Sequence, residues 1–118
     1  MKHLFTYGHL MESAVISDVL GRQVKGALDV RIPKYKLMER GLLYLFPDPK
    51  SIGVVGVVYY DLTDEDFQKL DSYQCVDKGL YRRETTNFIH GRDKLCTVEI
   101  YTPGPQIHKG KCREVPSR

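Results

Sequence analysis

One run of seven residues, 54–60, with the sequence VVGVVYY, constrains the fold of this chain more than any other segment. It is almost continuously apolar and rich in β-branched side chains, a composition typical of a strand that is buried on both faces. Strands of this kind occupy barrels or central positions in sheets. We therefore expect residues 54–60 to form a central strand with helices packed beside it.

Two amphipathic helices are predicted, one before this strand and one after it. In the first, apolar side chains recur every four positions, and Gly21 follows as a stop signal. The second begins after Thr63, a good N-cap residue, with Asp66 three residues later in a near match to a capping box. The patterns predict helices near residues 11–20 and 64–73.

The remaining regular segments have the composition of strands. Pro33 separates two of them, residues 47–49 form a Pro-Asp-Pro turn, and residues 90–93 form the turn of a hairpin. Strands outnumber helices, and the helices lie between groups of strands, so the sequence predicts an α+β fold. Besides residues 54–60, the predicted strands are residues 3–7, 24–30, 35–38, 41–46, 81–89 and 95–101.

A length of 118 residues fits one domain with a core of its own. We place the folded domain at residues 1–102 and an irregular basic C-terminal tail at residues 103–118. The net charge is only +3, with much of it in that tail, which is unlike the clustered basic face of a nucleic-acid-binding protein. No apolar run approaches the roughly 20 residues that span a bilayer, and the start does not resemble a signal peptide. We expect a cytoplasmic protein without nucleic-acid or membrane partners.

Three cysteines, Cys75, Cys96 and Cys112, cannot all pair within the chain. Free thiols in a reducing compartment are the simplest interpretation. His108 and Cys112 have a loose ligand-like spacing, but a second ligand pair is missing, so no metal site is predicted.

Two segments have the chemistry of a binding site. Residues 7–10, Tyr-Gly-His-Leu, join the first strand to the first helix, and a glycine there permits positive φ and close approach of a ligand. The loop and the helix start offer free N–H groups for a carboxylate or a developing oxyanion. Gln74 follows Phe67 and Leu70 at helical spacing, which turns its amide toward the buried face. Two structural alternatives stay open: a plain turn at Gly8, and a helix-end amide at Gln74 that is exposed or bonded to nearby backbone.

These segments resemble the γ-glutamylcyclotransferase-like superfamily. The resemblance departs from the family pattern at His9, where threonine or serine is usual, and at Gln74, where the family has its catalytic glutamate. The matching pieces occur in family order over most of residues 3–102, and they are residues 7–10, 53–60, 70–74, 79–83 and 100–101.

The resemblance implies a compact mixed β-barrel with flanking helices and a small-molecule pocket between the glycine loop (residues 7–10) and residue 74. In the family, the α-amine of a γ-glutamyl substrate attacks its own side-chain carbonyl, which releases an amine and 5-oxoproline without a metal or an organic cofactor. The implied ligand is γ-glutamyl-like or anionic. The implied site residues are Gln74 at the catalytic position and, for substrate binding, Tyr7, Gly8, His9, Leu10, Tyr81 and Tyr101.

Gln74 departs from the family at the group that moves the proton, because a neutral amide cannot serve as a general base. Histidine is a common general base in proteins, so His9 is a second candidate. We favour a bulky residue at the pocket mouth, since no partner that would orient its ring can be named. Strand alternation turns Glu84 away from a pocket that Tyr81 lines, and a cap or salt bridge accounts for Asp71.

Three interpretations of the chain stay open. It is an enzyme of γ-glutamyl chemistry whose base comes from another group, or a binding or regulatory protein on the same scaffold, or a chain in which glutamine replaces a natural glutamate. A nucleic-acid-binding barrel is disfavoured, since no aromatic and basic run marks a strand as a base-stacking platform.

Overall fold

The computed structural model describes residues 2–90 and 94–116. In chain order its main elements are β1 (Lys2–Thr6), α1 (Ser13–Leu20), β2 (Gly26–Ile32), β3 (Tyr35–Arg40), β4 (Leu42–Pro47), β5 (Val54–Leu62), α2 (Asp64–Tyr73), β6 (Tyr81–His90), β7 (Lys94–Pro103) and β8 (Arg113–Glu114). Short 3-10 helices lie at His9–Met11, Val76–Lys78 and Lys109–Lys111. The turn predicted at residues 90–93 lies largely outside the described residues.

The strands form two sheets. The larger sheet has the order β2-β5-β1-β7-β6, and the smaller has the order β4-β3-β8. The predicted α+β fold with two flanking helices is confirmed. One detail differs from the expected barrel, because the sheets stay open. The hairpin of β3 and β4 pairs with itself and with β8, so it does not join the edges of the larger sheet.

Strand β5 lies inside the larger sheet, as the apolar run predicts. It pairs antiparallel with β1 on one side and β2 on the other. Its alternate side chains enter two different cores: Val57 and Tyr59 pack in the core that contains residues of both helices, while Val54 and Val58 pack in the core that contains Phe88 of β6. At Gly56 a Cβ atom would lie 2.0 Å from the carbonyl oxygen of Thr6, so only glycine permits β1 to approach this closely.

Helix α1 is shorter than predicted. Glu12 is extended, with φ −81° and ψ 119°, and separates a 3-10 turn from the α-helix that begins at Ser13. Gly21 ends the helix as predicted, in the left-handed region with φ 72°.

Helix α2 begins with the predicted cap. The Thr63 hydroxyl accepts from the Asp66 N–H at 3.1 Å, and the Asp66 carboxylate accepts from the Thr63 N–H at 2.9 Å. Asp66 also forms an ion pair with Arg22, and Lys69 donates to the carbonyl oxygen of Leu20 at 3.1 Å. These contacts tie the start of α2 to the end of α1.

The segment after Pro103 is predicted from the sequence to be irregular, and it contains one short strand. Residues of β8 pair with β3 through Met38 and Glu39. Two residues are too few to show alternation, so the sequence carries no signal for this strand. None of the helices in residues 2–90 and 94–116 is long and apolar enough to cross a membrane.

Replacing Thr63 by alanine removes the acceptor for the Asp66 N–H. We expect the free energy of unfolding to fall by about 1 kcal/mol. Thr63→Ser is the matched control, because it keeps the hydroxyl, and we expect a much smaller loss. Urea unfolding followed by circular dichroism measures both variants. Equal losses would show that the methyl group of Thr63 matters and the cap does not.

The pKa of Asp66 predicts a dependence of stability on pH. It is lowered mainly by the hydrogen bond from Arg22, against the opposing effect of burial, and the bonds from Thr63 lower it further. The folded protein therefore binds this proton less tightly than the unfolded chain. The stabilisation is complete above the ordinary aspartate pKa of about 4 and is lost as the pH falls through the lowered folded value.

We therefore expect Asp66→Asn to be less stable than the original protein near neutral pH and the difference to shrink as the pH falls below about 4. Urea unfolding over a pH series measures it. A difference that is constant across the series would contradict the ionised Arg22–Asp66 pair.

Candidate functional site

A cavity of about 640 Å³ opens between three parts of the chain. These are the glycine loop, the end of α2, and the turn between β3 and β4. Each residue that the sequence predicts for the site lines this cavity, namely Tyr7, Gly8, His9, Leu10, Gln74, Tyr81 and Tyr101. The structure thus brings the predicted set together in space, while the roles of these residues in ligand binding stay predictions.

The glycine loop follows β1 and turns directly into a 3-10 helix. Met11 N–H donates to the Gly8 carbonyl at 3.0 Å, and Glu12 N–H donates to the His9 carbonyl at 3.1 Å. Within the described chain, the N–H groups of His9 and Leu10 have no carbonyl partner, and no side chain caps this helix start. Two backbone donors are therefore left beside the cavity.

The expected reason for glycine at position 8 needs correction. Its φ is −128°, so the positive φ that glycine permits is not used. A Cβ atom there would meet only Leu43 Cδ1, at 3.9 Å. The missing side chain instead leaves free space, and a ligand is able to approach the backbone closely.

Gln74 is the C-cap residue of α2. Its N–H donates to the Leu70 carbonyl at 2.9 Å, and the next residue, Cys75, has a left-handed conformation with φ 54° that ends the helix. The side chain of Gln74 is partly buried and lines the cavity. In the described part of the chain its amide has no hydrogen-bond partner, so it is free to meet a ligand.

Three tyrosines form the floor of the cavity. The Tyr81 hydroxyl donates to the Leu43 carbonyl at 2.7 Å, and its ring stacks on Tyr44 with centroids 4.8 Å apart. The Tyr7 hydroxyl donates to the Tyr101 carbonyl, and the Tyr101 hydroxyl donates to Asp71 Oδ1 at 2.7 Å. Each bond crosses between elements and fixes a ring in place.

Burial raises the pKa of Tyr7, Tyr81 and Tyr101 above the usual value for tyrosine. For Tyr101 the hydrogen bond to Asp71 raises the pKa further, because the carboxylate accepts the phenol proton. These phenols therefore stay protonated at physiological pH. They serve as hydrogen-bond donors and apolar surface, and they are poor proton acceptors.

A polar network of Asp71, Arg83, Glu99 and Tyr101 lies behind the tyrosines. Arg83 donates to Asp71 at 2.9 and 3.2 Å and to Glu99 at 2.8 Å. Burial lowers the pKa of Arg83, but the bonds and charges of its partners outweigh burial and raise it. Of the two roles expected for Asp71, a cap or a salt bridge, the salt bridge is present. Glu84 pairs with Arg82 at 3.8 Å and does not line the cavity, as strand alternation predicts.

The cavity also contains residues that sequence reasoning missed. Glu12 and Glu39 line it, and Glu39 forms an ion pair with Arg113 of β8. Their positions depend on the path of the chain between elements, and no local pattern marks them. His9 is exposed at the cavity, as expected for a residue at its mouth.

No group of three His, Cys, Asp or Glu side chains in the described ranges is arranged to hold a metal ion. The thiol of Cys112 donates to the carbonyl oxygen of His108 at 3.5 Å. The groups that line the cavity are backbone donors, phenols, the His9 imidazole, the Cys75 thiol, one amide and carboxylates.

Comparison with known proteins identifies similar chains. The family model described as "Gamma-glutamyl cyclotransferase, AIG2-like" matches residues 4–117. No curated protein matches by sequence. Among solved structures, a protein of Arabidopsis thaliana superposes with a TM-score of 0.75 at 19% identity, covering 93% of this chain and 73% of that chain.

Two further structures are similar. A protein described as a gamma-glutamyl cyclotransferase has a TM-score of 0.73 at 20% identity, over 89% of this chain and 72% of that chain. An AIG2-like protein of Mus musculus has a TM-score of 0.66 at 19% identity, over 90% and 81% respectively. At such identities these structures support the fold alone.

Replacing Asp71 by alanine leaves the Tyr101 hydroxyl without its acceptor and removes one of the two carboxylates that Arg83 contacts. We expect the free energy of unfolding to fall by about 1–3 kcal/mol. Glu84→Ala breaks an exposed ion pair nearby and serves as the control, with an expected change within about 0.5 kcal/mol. Urea unfolding compares the two, and similar small losses would show that the polar network does not stabilise the site.

Proposed function

Since the chain belongs to the Gamma-glutamyl cyclotransferase, AIG2-like family, we propose that its cavity binds a γ-glutamyl-type small molecule and that cyclisation to 5-oxoproline is impaired. The observation that carries this proposal is the convergence of the glycine loop and Gln74 on one cavity. A protein that keeps the binding surface but lacks the proton acceptor is suited to hold such a ligand and poorly suited to turn it over.

The family reaction depends on proximity and on one acid–base group. The α-ammonium of the substrate must lose a proton before its nitrogen attacks the side-chain carbonyl, and the departing amine must gain one. The amide of Gln74 does neither, because it does not titrate in the useful range. It can still donate and accept hydrogen bonds, so it remains able to position a ligand.

Other groups at the cavity are weak substitutes for the missing base. The tyrosines stay protonated, and Asp71 is engaged by Arg83 and Tyr101. Glu39 forms an ion pair with Arg113, so its carboxylate is engaged as well. Glu12 is exposed at the cavity rim.

The backbone donors of the glycine loop complement this arrangement. N–H groups at a helix start favour negative charge, so the α-carboxylate of a γ-glutamyl group or an oxyanion suits them. Gly8 leaves space for that approach. Support for a γ-glutamyl ligand thus comes from the family and from the polarity of the cavity together.

Gln74→Glu tests the proposal directly. The change is nearly isosteric and restores a carboxylate at the end of α2. We expect little or no release of 5-oxoproline by the original protein from γ-glutamyl amines, and a rise of about 10²–10⁴ in the variant, which is the contribution of a positioned general base. Chromatographic quantification of 5-oxoproline measures it, with Gln74→Ala as the control that has neither amide nor carboxylate.

Two results would contradict parts of this proposal. Robust turnover by the original protein that survives Gln74→Ala would show that another residue moves the proton, with His9 the first to replace. A folded but inactive Gln74→Glu variant would show that more than the base has changed, and the protein would then be a binding protein without a latent activity.

A further inference from the structure

We propose that Glu39 binds the ammonium group of the ligand and that Arg113 competes with the ligand for this carboxylate. The inference rests on the proposed function and adds the residue that recognises the positive charge of the ligand. It concerns a residue of β3 that lies outside every segment that carries the family resemblance.

Strand register directs the side chain of Glu39 toward the glycine loop. Glu39 is the direct cross-strand partner of Leu43 in β4, and directly paired residues project from the same face of a sheet. Leu43 Cδ1 lies 3.9 Å from the place where a Cβ atom at Gly8 would be. The Leu43 carbonyl also accepts from Tyr81 at 2.7 Å. Leu43 therefore connects Glu39 with the glycine loop and with Tyr81, because it is the strand partner of Glu39 and contacts both.

The charges at the cavity favour a ligand with a positive group. Within the described chain, no lysine or arginine lines the cavity, whereas Glu12 and Glu39 both do. A γ-glutamyl group carries an α-ammonium and an α-carboxylate. The backbone donors of the glycine loop suit the carboxylate, and Glu39 suits the ammonium as a charge-assisted acceptor.

Arg113 is the present partner of that carboxylate. It is the cross-strand neighbour of Glu39 on the opposite side from Leu43, and it forms an ion pair with Glu39. The Arg113 side chain is 79% exposed, so moving its guanidinium into water costs little. A ligand ammonium thus competes with Arg113 for one carboxylate, and the C-terminal strand β8 tunes the affinity of the cavity.

The test uses two probes that differ in one charge. The first is γ-glutamylmethylamide, which has a protonated α-amine, and the second is its Nα-acetyl derivative, which has none. Isothermal titration calorimetry measures the binding of both to the full chain and to the variants Glu39→Gln, Glu84→Gln, Arg113→Ala and the double variant Glu39→Gln/Arg113→Ala. Each variant removes charge at or near the surface, and circular dichroism verifies its fold.

We expect Glu39→Gln to bind γ-glutamylmethylamide about tenfold more weakly, the usual scale of a hydrogen bond to a charged group. Binding of the acetylated probe should be unchanged by Glu39→Gln. Glu84→Gln is the matched control, because Glu84 does not line the cavity, and it should change neither affinity by more than about twofold. Arg113→Ala should tighten binding of the charged probe, and the double variant should bind as Glu39→Gln does.

Other outcomes separate this inference from the proposed function. If the original protein binds neither probe, the proposed γ-glutamyl ligand is wrong and the inference falls with it. If it binds γ-glutamylmethylamide and Glu39→Gln binds equally well, the ligand stands and the role of Glu39 is overturned. If removing the Arg113 side chain tightens ligand binding in the double variant as well, Arg113 does not act through Glu39. The proposed competition between Arg113 and the ligand would then be overturned.

Discussion

The pair of hydrogen bonds from Arg83 to Asp71 is the contact on which the arrangement of the site depends. Asp71 lies in the last turn of α2, three residues before Gln74, and Arg83 lies on β6. The same carboxylate accepts from Tyr101 on β7. Tyr7 in turn donates to the backbone of Tyr101, so the end of α2 and the glycine loop are both hydrogen-bonded to β7. The polar network of Asp71, Arg83, Glu99 and Tyr101 therefore determines where the Gln74 amide lies.

The sequence predicts most of the fold because its signals are local. The run at residues 54–60 marks an interior strand, and the Thr63–Asp66 cap marks the start of α2 to the residue. The predictions differ from the structure where distant pairing decides the outcome. Strand β8 is two residues long and exists through its bonds to β3, and the open sheets follow from β3 and β4 pairing with each other. The hydrophobic periodicity within one segment does not determine which distant strand that segment pairs with.

In the candidate site, too, local motifs are predictable from the sequence and contacts that depend on strand pairing are not. The seven site residues that the resemblance implies line one cavity, because they lie after β1, at the end of α2 and on the paired strands β6 and β7. Glu39 was missed because it belongs to no motif and reaches the cavity through its register with Leu43. The conformation of Gly8 was also mistaken, since a glycine in a sequence does not reveal whether positive φ or free space is its reason.

The central position of β1 has a consequence for how the protein assembles. The first strand lies between β5 and β7, and the hydrogen bond from Tyr7 to Tyr101 spans 94 positions of the chain. A ribosome must synthesise nearly all of that length before the partner strand exists, so the cavity forms late, after the entropy of closing a long loop has been overcome. Until then β1 offers an unpaired apolar edge. In a nascent chain of this fold, pairing with β7 therefore covers the exposed edge of β1 and protects it from aggregation.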